Sequence, residues 1–590
     1  MSVKLVKDPV HGYIKIKKDH TKNIIDSCEY QRLRNIRQTS YDSLYPGSCH
    51  NRFIHSLGVY YLGNKAFQAF RRNYEEQFNS TGISEVNWTC FSNTFELACL
   101  LHDVGHTPFS HTGESFLILD KEEDKFDIMQ KVRDEEPLKV PILYNNLLRI
   151  MQSKLQPNTE KFNSFRDDFT ETIVNSINYK QEKNVASPHE IMSVVIAIER
   201  YYEYLEKECV DIDLFARAIL GLCYKKKTNR VLGIKNSLIQ MLNSRNIDVD
   251  RLDYIIRDMQ MSGFDSISID IERLLDSVTL FCEPQSGNYS LGYKKNALST
   301  IQNVVLAHDA ERRWIQGHPV ILHDSFLVEK CLQAVNQHYK VGNKNIFQQK
   351  AFSEEGVTLQ GESGGNFKIR LMNDGDFIFL MKQLSEDKEV GTYITEYLSR
   401  DKRKQPIWKS EAEFNMILGE FSERDKSIFL NIFGRKEESD NPSIGSVLNP
   451  DRIENLKDER LKIQQYDNFN QEDKENSILR IEQQLFWLES LRTFCKECDI
   501  PFKIYNQKFS IFQSKVNDLK NNIMIWYPDF KKPVLFSDII HTYQSSNDIN
   551  KDNKDLFYLY IDKPKGYSFQ KFVEFLKDTL SEYKRKFVGM

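Results

Sequence analysis

The chain has 590 residues, 40% apolar and 28% charged, with 80 Lys plus Arg against 84 Asp plus Glu and a formal net charge of −4. This globular composition excludes a chain disordered throughout, and 25 Gly with 16 Pro exclude collagen-like and linker-like classes. The near-balanced charge gives no global argument for a polyanion or membrane partner, no run approaches the roughly 18 apolar residues of a membrane span, and the N-terminus lacks a signal-peptide apolar core, so a cytoplasmic protein is expected.

Most of the chain shows helical periodicity. Residues 54–70 place Val59, Leu62, Ala66 and Phe70 on one face, and residues 91–104 read as a mostly buried helix stopped by Gly105. Residues 115–186 are polar and charge-mixed, the pattern of an inserted helical subdomain. Helices follow over 189–206, 212–223, 250–261 and 320–339. Residues 353–367 read as a loop, and its Gly361-Glu-Ser-Gly-Gly-Asn lacks the Gly-Lys-Ser/Thr ending of a phosphate-binding P-loop. Residues 436–476 are acidic and Asn-rich, the pattern of a linker. A helix follows at about 477–498, whose Cys495 and Cys498 read as ordinary thiols because no second pair accompanies them. Strand-like runs at 523–527 and 556–561 precede a last helix, 568–585. The expected architecture is mainly α, with a helical domain over 1–435 and a small α+β region over 477–590.

Eight of the 13 histidines fall in the first third, among them His50, His55, His102, His106, His111 and His189. His102-Asp103 ends an apolar helix, and a buried carboxylate beside a buried imidazole needs a partner. One solution is a hydrogen-bonded structural pair; the other is a divalent metal, for which adjacent His and Asp make a natural bite. His55 shares a helical face with Val59 and Leu62, where a satisfied core histidine is the ordinary reading. In the helix from 250, Leu252, Ile255, Ile256 and Met259 form the apolar face, while Asp250, Tyr254 and Asp258 fall at i, i+4 and i+8 opposite it. A solvated face with acids at the helix N-terminus accounts for Asp248 and Asp253. It accounts less well for the Tyr and Arg woven into the stripe.

Together, His55, His102-Asp103 and Asp250 match the H…HD…D signature of the HD superfamily. Three fuller blocks extend the match. They are Arg52-Phe-Ile-His55-Ser-Leu-Gly-Val, Leu101-His-Asp-Val-Gly-His-Thr-Pro-Phe-Ser-His111 and Asp248-Val-Asp250-Arg-Leu-Asp-Tyr254-Ile-Ile-Arg-Asp258. They resemble the deoxynucleoside-triphosphate triphosphohydrolases, a group that includes bacterial dGTPases and the animal SAM-and-HD-domain enzyme. The likeness runs from Asp8-Pro-Val-His-Gly to about residue 340, with 115–186 as an insertion. It implies a largely helical HD fold and a divalent metal held by His55, His102, Asp103 and Asp250. It also implies hydrolysis of a dNTP to deoxynucleoside and inorganic triphosphate, in nucleotide-pool control or antiviral defence. Two imidazoles and two carboxylates suit Mn, Fe, Zn or Mg.

The likeness also assigns roles. His106 lies in a loop beside the metal and can reach a phosphate. His111 and Glu114, at i and i+3, resemble the acid/base pair of the bacterial enzymes, and His189 is the candidate proton donor to the leaving 5′-oxygen. Glu190 fits a capping box in Ser187-Pro-His-Glu190. Arg52 matches a phosphate-contacting Arg, and Arg251 replaces a phosphate-contacting Lys. Gln38, Tyr254 and Asp258 match sugar contacts, and His318 matches a base-side His. Gln316 stands where an aromatic normally excludes a 2′-hydroxyl, His308 where an Arg contacts phosphate, and Thr39 replaces a residue that helps the exclusion. Lys4, Asp26, Gln31 and Arg34 fall where the animal enzyme binds an activating nucleotide between subunits, with Lys7 in place of an Asn. A plain helix with exposed cations accounts equally for Gln31 and Arg34. The partners implied are a dNTP substrate, an activating nucleotide, further copies of the chain and a regulatory protein. Two other readings compete: an HD nucleotidase or phosphodiesterase acting on another or modified nucleotide, and a nucleotide-sensing or single-strand-binding subunit without turnover.

Overall fold

The computed structural model describes residues 2–78, 83–118, 142–155, 159–178, 186–225, 228–244, 247–264, 267–283, 286–339, 346–361, 365–388, 390–434, 443–465, 471–508, 522–527, 532–539, 556–562 and 568–589. The chain forms two compact units. The first comprises Met1–Glu311, Val328–Gly391 and Lys515–His541, and the second Arg312–Leu327, Thr392–Ser514 and Thr542–Met590. Both are dominated by helices.

The first unit opens with an antiparallel hairpin, β1 (Val3–Asp8) and β2 (Gly12–Lys17), whose Ile14 and Ile16 alternate into the core. The main helices follow: α1 (Arg52–Phe78), α2 (Glu85–Leu101), α3 (His111–Ile118), α4 (Ile142–Leu155), α5 (Thr159–Asn178), α6 (Pro188–Lys207), α7 (Ile212–Leu220), α8 (Arg230–Leu242), α9 (Val249–Ser262) and α10 (Leu298–Ala310). Helix α2 starts earlier than its periodicity suggests because Ser84 caps it, its hydroxyl accepting from the Asn87 amide. Leu97, Ala98, Cys99, Leu100 and Leu101 are fully buried, so the end of α2 runs through the core. Asp248 caps α9 by accepting from the Arg251 amide at 2.8 Å, and Gly263 ends it in the left-handed region at φ 81.

Strands β3 (Val278–Cys282) and β4 (Tyr289–Lys294) pair antiparallel. The loop expected over 353–367 contains a hairpin instead, β5 (Val357–Gln360) with β6 (Asn366–Ile369). Val357 and Leu359 point inward while Thr358 and Gln360 face solvent, a two-residue period hidden by flanking Gly and Ser. Of the insertion at 115–186, residues 119–141, 156–158 and 179–185 lie outside the described residues. The rest is helical, and Phe165 and Phe169 of α5 are buried.

The second unit holds β7 (Gln405–Pro406), β8 (Val447–Leu448) and β9 (Ile504–Lys508). In the first unit, β10 (Met524–Tyr527) runs parallel to β4 and pairs with β11 (Lys532–Leu535). In the second, β12 (Phe557–Ile561) completes a sheet ordered β7-β12-β9-β8. The two C-terminal strand runs therefore belong to different sheets in different units, a correction to the single α+β region expected over 477–590. Tertiary pairing made that choice: Trp526 of β10 stacks on Phe281 of β3, with ring centroids 5.8 Å apart. The stretch expected as a linker, 436–476, contains β8 and the helix Pro450–Gln465. The Asn449 side chain accepts from the Arg452 amide at 3.0 Å, and Ile453 and Leu456 are buried; with the partly buried Ile463 they dock an otherwise polar helix. Helices Gln471–Glu497 and Phe569–Phe587 pack on this unit's sheet around Trp408 and Trp487.

Beneath the first hairpin, Glu96 of α2 accepts from Tyr60 Oη at 2.5 Å and Lys17 Nζ at 2.6 Å and lies 3.3 Å from His20 Nε2. Burial alone would raise its carboxyl, but His20 and Lys17 outweigh that and hold it at about 2. A depressed folded-state pKa stabilises the fold above the ordinary carboxylate value and loses that contribution as pH falls through the depressed one. In urea unfolding, the stability gap between the native chain and Glu96→Gln should therefore narrow from about pH 6 to about pH 3. A constant gap would contradict the pairing.

Candidate active site

The C-terminal end of α2 delivers His102 and Asp103, α1 delivers Arg52 and His55, and the first turn of α9 delivers Asp250. His102 Nδ1 donates to the Cys99 carbonyl at 2.9 Å, which leaves Nε2 with the lone pair. That Nε2 is buried without a hydrogen-bond partner, 3.5 Å from Asp103 Oδ1 and 3.7 Å from Asp250 Oδ1. His55 Nδ1 bonds Asp253 Oδ2 at 2.7 Å, and its Nε2 lies 2.9 Å from Asp250 Oδ1 and 3.7 Å from Asp103 Oδ2. The ligand atoms of His55, His102 and Asp103 all fall within 4.8 Å of one another. Burial works against a charged His55, but Asp250 and Asp253 carry it up to about 9. Burial also opposes ionised Asp103, yet Arg52 and His102 hold it at about 2. An orphaned imidazole nitrogen facing two ionised carboxylates is a donor set that a divalent cation completes.

A second layer fixes this set. Asp253 binds Arg257 through two bonds of 2.9 and 3.0 Å and His11 Nε2 at 2.6 Å, and Arg257 Nη1 donates to Asp8 Oδ2 at 2.9 Å. Asp253, expected on a solvated face, is instead fully buried, and Asp248 is 5% exposed. The correction has a physical cause: Arg257, at i+4, and two histidines replace the water that Asp253 gives up. Composition and periodicity do not reveal this layer. The signals available were the i, i+4 Asp253/Arg257 spacing and the Asp8-Pro-Val-His11 run.

Beyond Asp103 the chain turns through a loop in which Phe109 and Ser110 adopt left-handed φ of 57 and 51. Such conformations persist only where neighbours over-determine them. Here Asp374 accepts from the Phe109 amide at 2.8 Å and the Arg37 amide at 2.9 Å, and Ser110 Oγ accepts from Arg52 Nε at 2.9 Å. The loop presents His106 and then α3, with His111 and Glu114. Helix α6 brings His189. Glu114 Oε1 lies 2.5 Å from His111 Nδ1 and 2.9 Å from His189 Nδ1. The His106 and His189 rings stack with centroids 4.0 Å apart, and their Nε2 atoms lie 3.5 and 3.9 Å from Asp103 Oδ1. The two imidazoles are driven apart electrostatically. Burial and Arg52 push His106 well below its ordinary value. Burial opposes the charge on His189 too, but Glu114 and Glu190 raise it to about 9. Glu114 is held well below the usual carboxylate range, against burial, by His189 and His111. Glu190 closes the capping box of α6, accepting from the Ser187 amide at 2.7 Å.

The other expected positions are placed as follows. Arg52 donates to Asp103 Oδ2 at 2.9 Å and to the Gln38 carbonyl at 3.4 Å. Arg251 donates to the Ser244 carbonyl at 3.3 Å. The Tyr254 ring lies 6.5 Å from that of buried His308. Asp258 is buried against His50 Nε2 at 2.7 Å. Gln316 and His318 belong to the second unit, where His318 Nδ1 accepts from the Val320 amide at 3.2 Å. Lys4 and Asp26 are exposed. Gln31 donates to the Ile25 carbonyl at 2.6 Å and accepts from Arg34 Nε at 2.7 Å, while the Arg34 guanidinium lies 3.6 Å over the Phe53 ring.

Residues 52–258 match the HD domain family. This chain carries an HD domain. The start of α1 and Asp258 mark the two ends of the match, and a divalent metal is the domain's cofactor. Deoxynucleoside triphosphate triphosphohydrolase SAMHD1 of Bos taurus is 40% identical over 111 residues, 19% of this chain and 17% of that one. The same-named protein of Mus musculus is 27% identical over 383 residues, 62% of this chain and 46% of that one. The uncharacterized protein YwfO of Bacillus subtilis is 25% identical over 368 residues, 60% of this chain and 63% of that one. The chain thus spans less than two thirds of each of these relatives. A solved phosphohydrolase of Bacteroides thetaiotaomicron shares its fold at a TM-score of 0.51 and 17% identity, covering 95% of this chain and all of that one. Among the described residues no helix is long and apolar enough to cross a membrane.

Proposed function

We propose that the protein hydrolyses deoxynucleoside triphosphates to deoxynucleoside and inorganic triphosphate. The observation that carries this reading is the pairing of two clusters about one carboxylate: the donor set of His55, His102, Asp103 and Asp250 on one side, and His106, His111, Glu114 and His189 on the other. Bound by the first set, a divalent cation supplies Lewis-acid polarisation of the phosphoryl oxygens. Arg52, anchored on Asp103, grips the same phosphate, and neutral His106 donates a hydrogen bond to it without adding charge. Glu114 stays ionised and orients His111 and His189. Water oxygen bonds to the α-phosphorus as the bond to the 5′-oxygen breaks; His111, held by Glu114, takes the proton that the water gives up, and His189 delivers the proton that the leaving oxygen needs. Arg251 contacts the phosphate chain, and Gln38, Tyr254 and Asp258 contact the sugar.

The likeness to SAMHD1 proteins supports the substrate class. The departures at Gln316 and His308 favour a second reading, an HD nucleotidase or phosphodiesterase on another or modified nucleotide. Product analysis separates them. The protein is loaded with Mn or Mg and incubated with each dNTP and NTP, alone and mixed, beside a His102→Ala/Asp103→Ala control. Triphosphate plus deoxynucleoside, lost in the control, supports the first reading; orthophosphate or a monophosphate supports the second. We also propose that a nucleotide bound at Lys4, Asp26, Gln31 and Arg34 gates assembly of further copies. A solution mass unchanged by nucleotides would contradict that.

A further inference from the structure

Two cysteines of the first unit meet where α2 touches the segment that follows α6. Cys90, half-buried on α2, donates from Sγ to the carbonyl of exposed Cys209 at 3.1 Å. The contact is held in register on both sides. Asn93 Nδ2 donates to the Glu208 carbonyl at 2.9 Å, and the Asp211 amide donates to Thr94 Oγ1 at 3.0 Å. A carbonyl oxygen lies about 2.4 Å from its own Cα, so the Cys90 sulfur is within about 5.5 Å of Cys209 Cα. Cys209 also closes α6. Its amide donates to the Glu206 carbonyl at 2.9 Å and the Val210 amide to the Leu205 carbonyl at 3.0 Å, a helix stop whose turning residue is ordinarily glycine. Cys209 makes that turn at φ 55, a conformation that a Cβ disfavours.

The two cysteines stand 119 residues apart. Between them the chain carries His102, Asp103, His106, His111, Glu114 and His189, so the two ends of the excursion that bears most of the site come together at this contact. We propose that oxidation by hydrogen peroxide joins Cys90 and Cys209 in a reversible disulfide that staples this excursion. Exposed Cys209 meets the oxidant. Its thiolate attacks the peroxide, an S–O bond forms as the O–O bond breaks, and the departing hydroxide takes up the thiol's proton and leaves as water. The Cys90 sulfur then attacks the Cys209 sulfur: an S–S bond forms, the S–O bond breaks, and a second water leaves with the Cys90 proton. Two thiols are oxidised and one peroxide is reduced to two waters. Burial and the Asp211 carboxylate push the Cys90 thiol up, which suits it to the second step rather than the first. A bridge across so long a loop restricts the unfolded chain and holds the site residues between its ends against local opening.

In the test, the full chain is treated with hydrogen peroxide, its remaining thiols are alkylated, and the digested peptides are analysed by mass. The expected result is a linked peptide containing Cys90 and Cys209 that dithiothreitol separates. The oxidised chain should also unfold at a thermal midpoint about 5–15 °C higher than the reduced one. Cys90→Ser and Cys209→Gly should each lose both the linked peptide and the peroxide-dependent rise. Glycine suits the left-handed position, so Cys209→Gly decides alone if Cys90→Ser fails to fold. Thiols left unreacted, over-oxidised or paired with other cysteines would overturn the proposal. So would a linked peptide with an unmoved midpoint, or a rise that persists in Cys209→Gly. None of these readouts needs turnover, so they stand apart from the proposed reaction.

Discussion

Glu114→Gln is expected to slow triphosphate release by about 100- to 10,000-fold, the span of a positioned acid–base group, while the protein keeps its metal. The carboxylate stands 2.5 Å from His111 Nδ1 and 2.9 Å from His189 Nδ1. Glutamine preserves its volume but removes the negative charge that holds the His189 proton in a buried site. The nearer contacts of the metal donor set do not involve it: His55, His102 and Asp250 face one another and Asp103. Single-turnover rates and elemental analysis of the same preparation check both halves. An unchanged rate would remove Glu114 from the mechanism, and lost metal would reassign it to the donor set.

Asp253→Ala should destabilise the first unit by about 3–5 kcal/mol, because it takes the two-bond partner from the buried Arg257 cation and leaves it Asp8 alone. It should also weaken metal binding by about 10- to 100-fold, because His55 loses the carboxylate that sets its tautomer and ring orientation. The packing leaves no room for substitutes. At Gly58 on α1 an added Cβ would sit 1.9 Å from Asp253 Oδ1 and 2.5 Å from Arg257 Nη2, so the glycine lets α1 and α9 close over the pair. Urea unfolding and a metal titration read the two effects separately. Native-like values in both would show that His55 orients itself without Asp253.

The helical framework was legible because each site helix announces itself locally. Apolar periodicity marks α1, α6 and α9, and the run ending in Leu101 is apolar on every side. The convergence of His55, His102-Asp103 and Asp250 was legible through resemblance, since they are far apart in sequence and no single block shows it. What stayed hidden depends on partners distant in the chain. Asp253 looks like a solvated helix acid until Arg257, His11 and Asp8 are seen around it. Asp374 gives no sign that it pins the strained turn at Phe109 and Ser110, where burial raises its own carboxyl to about 6. Strand β10 reads as a C-terminal strand, but its partner β4 lies more than two hundred residues earlier. In 436–476, low apolar content concealed a helix that docks through Ile453, Leu456 and the partly buried Ile463.

The central claim is that water attacks the α-phosphorus of a deoxynucleoside triphosphate and the 5′-oxygen leaves with the sugar. Turnover in oxygen-18 water, with mass analysis of the products, tests it most directly. The account predicts one labelled oxygen in inorganic triphosphate and none in the deoxynucleoside. Label in orthophosphate or in a nucleoside monophosphate would place the cleavage elsewhere and contradict it.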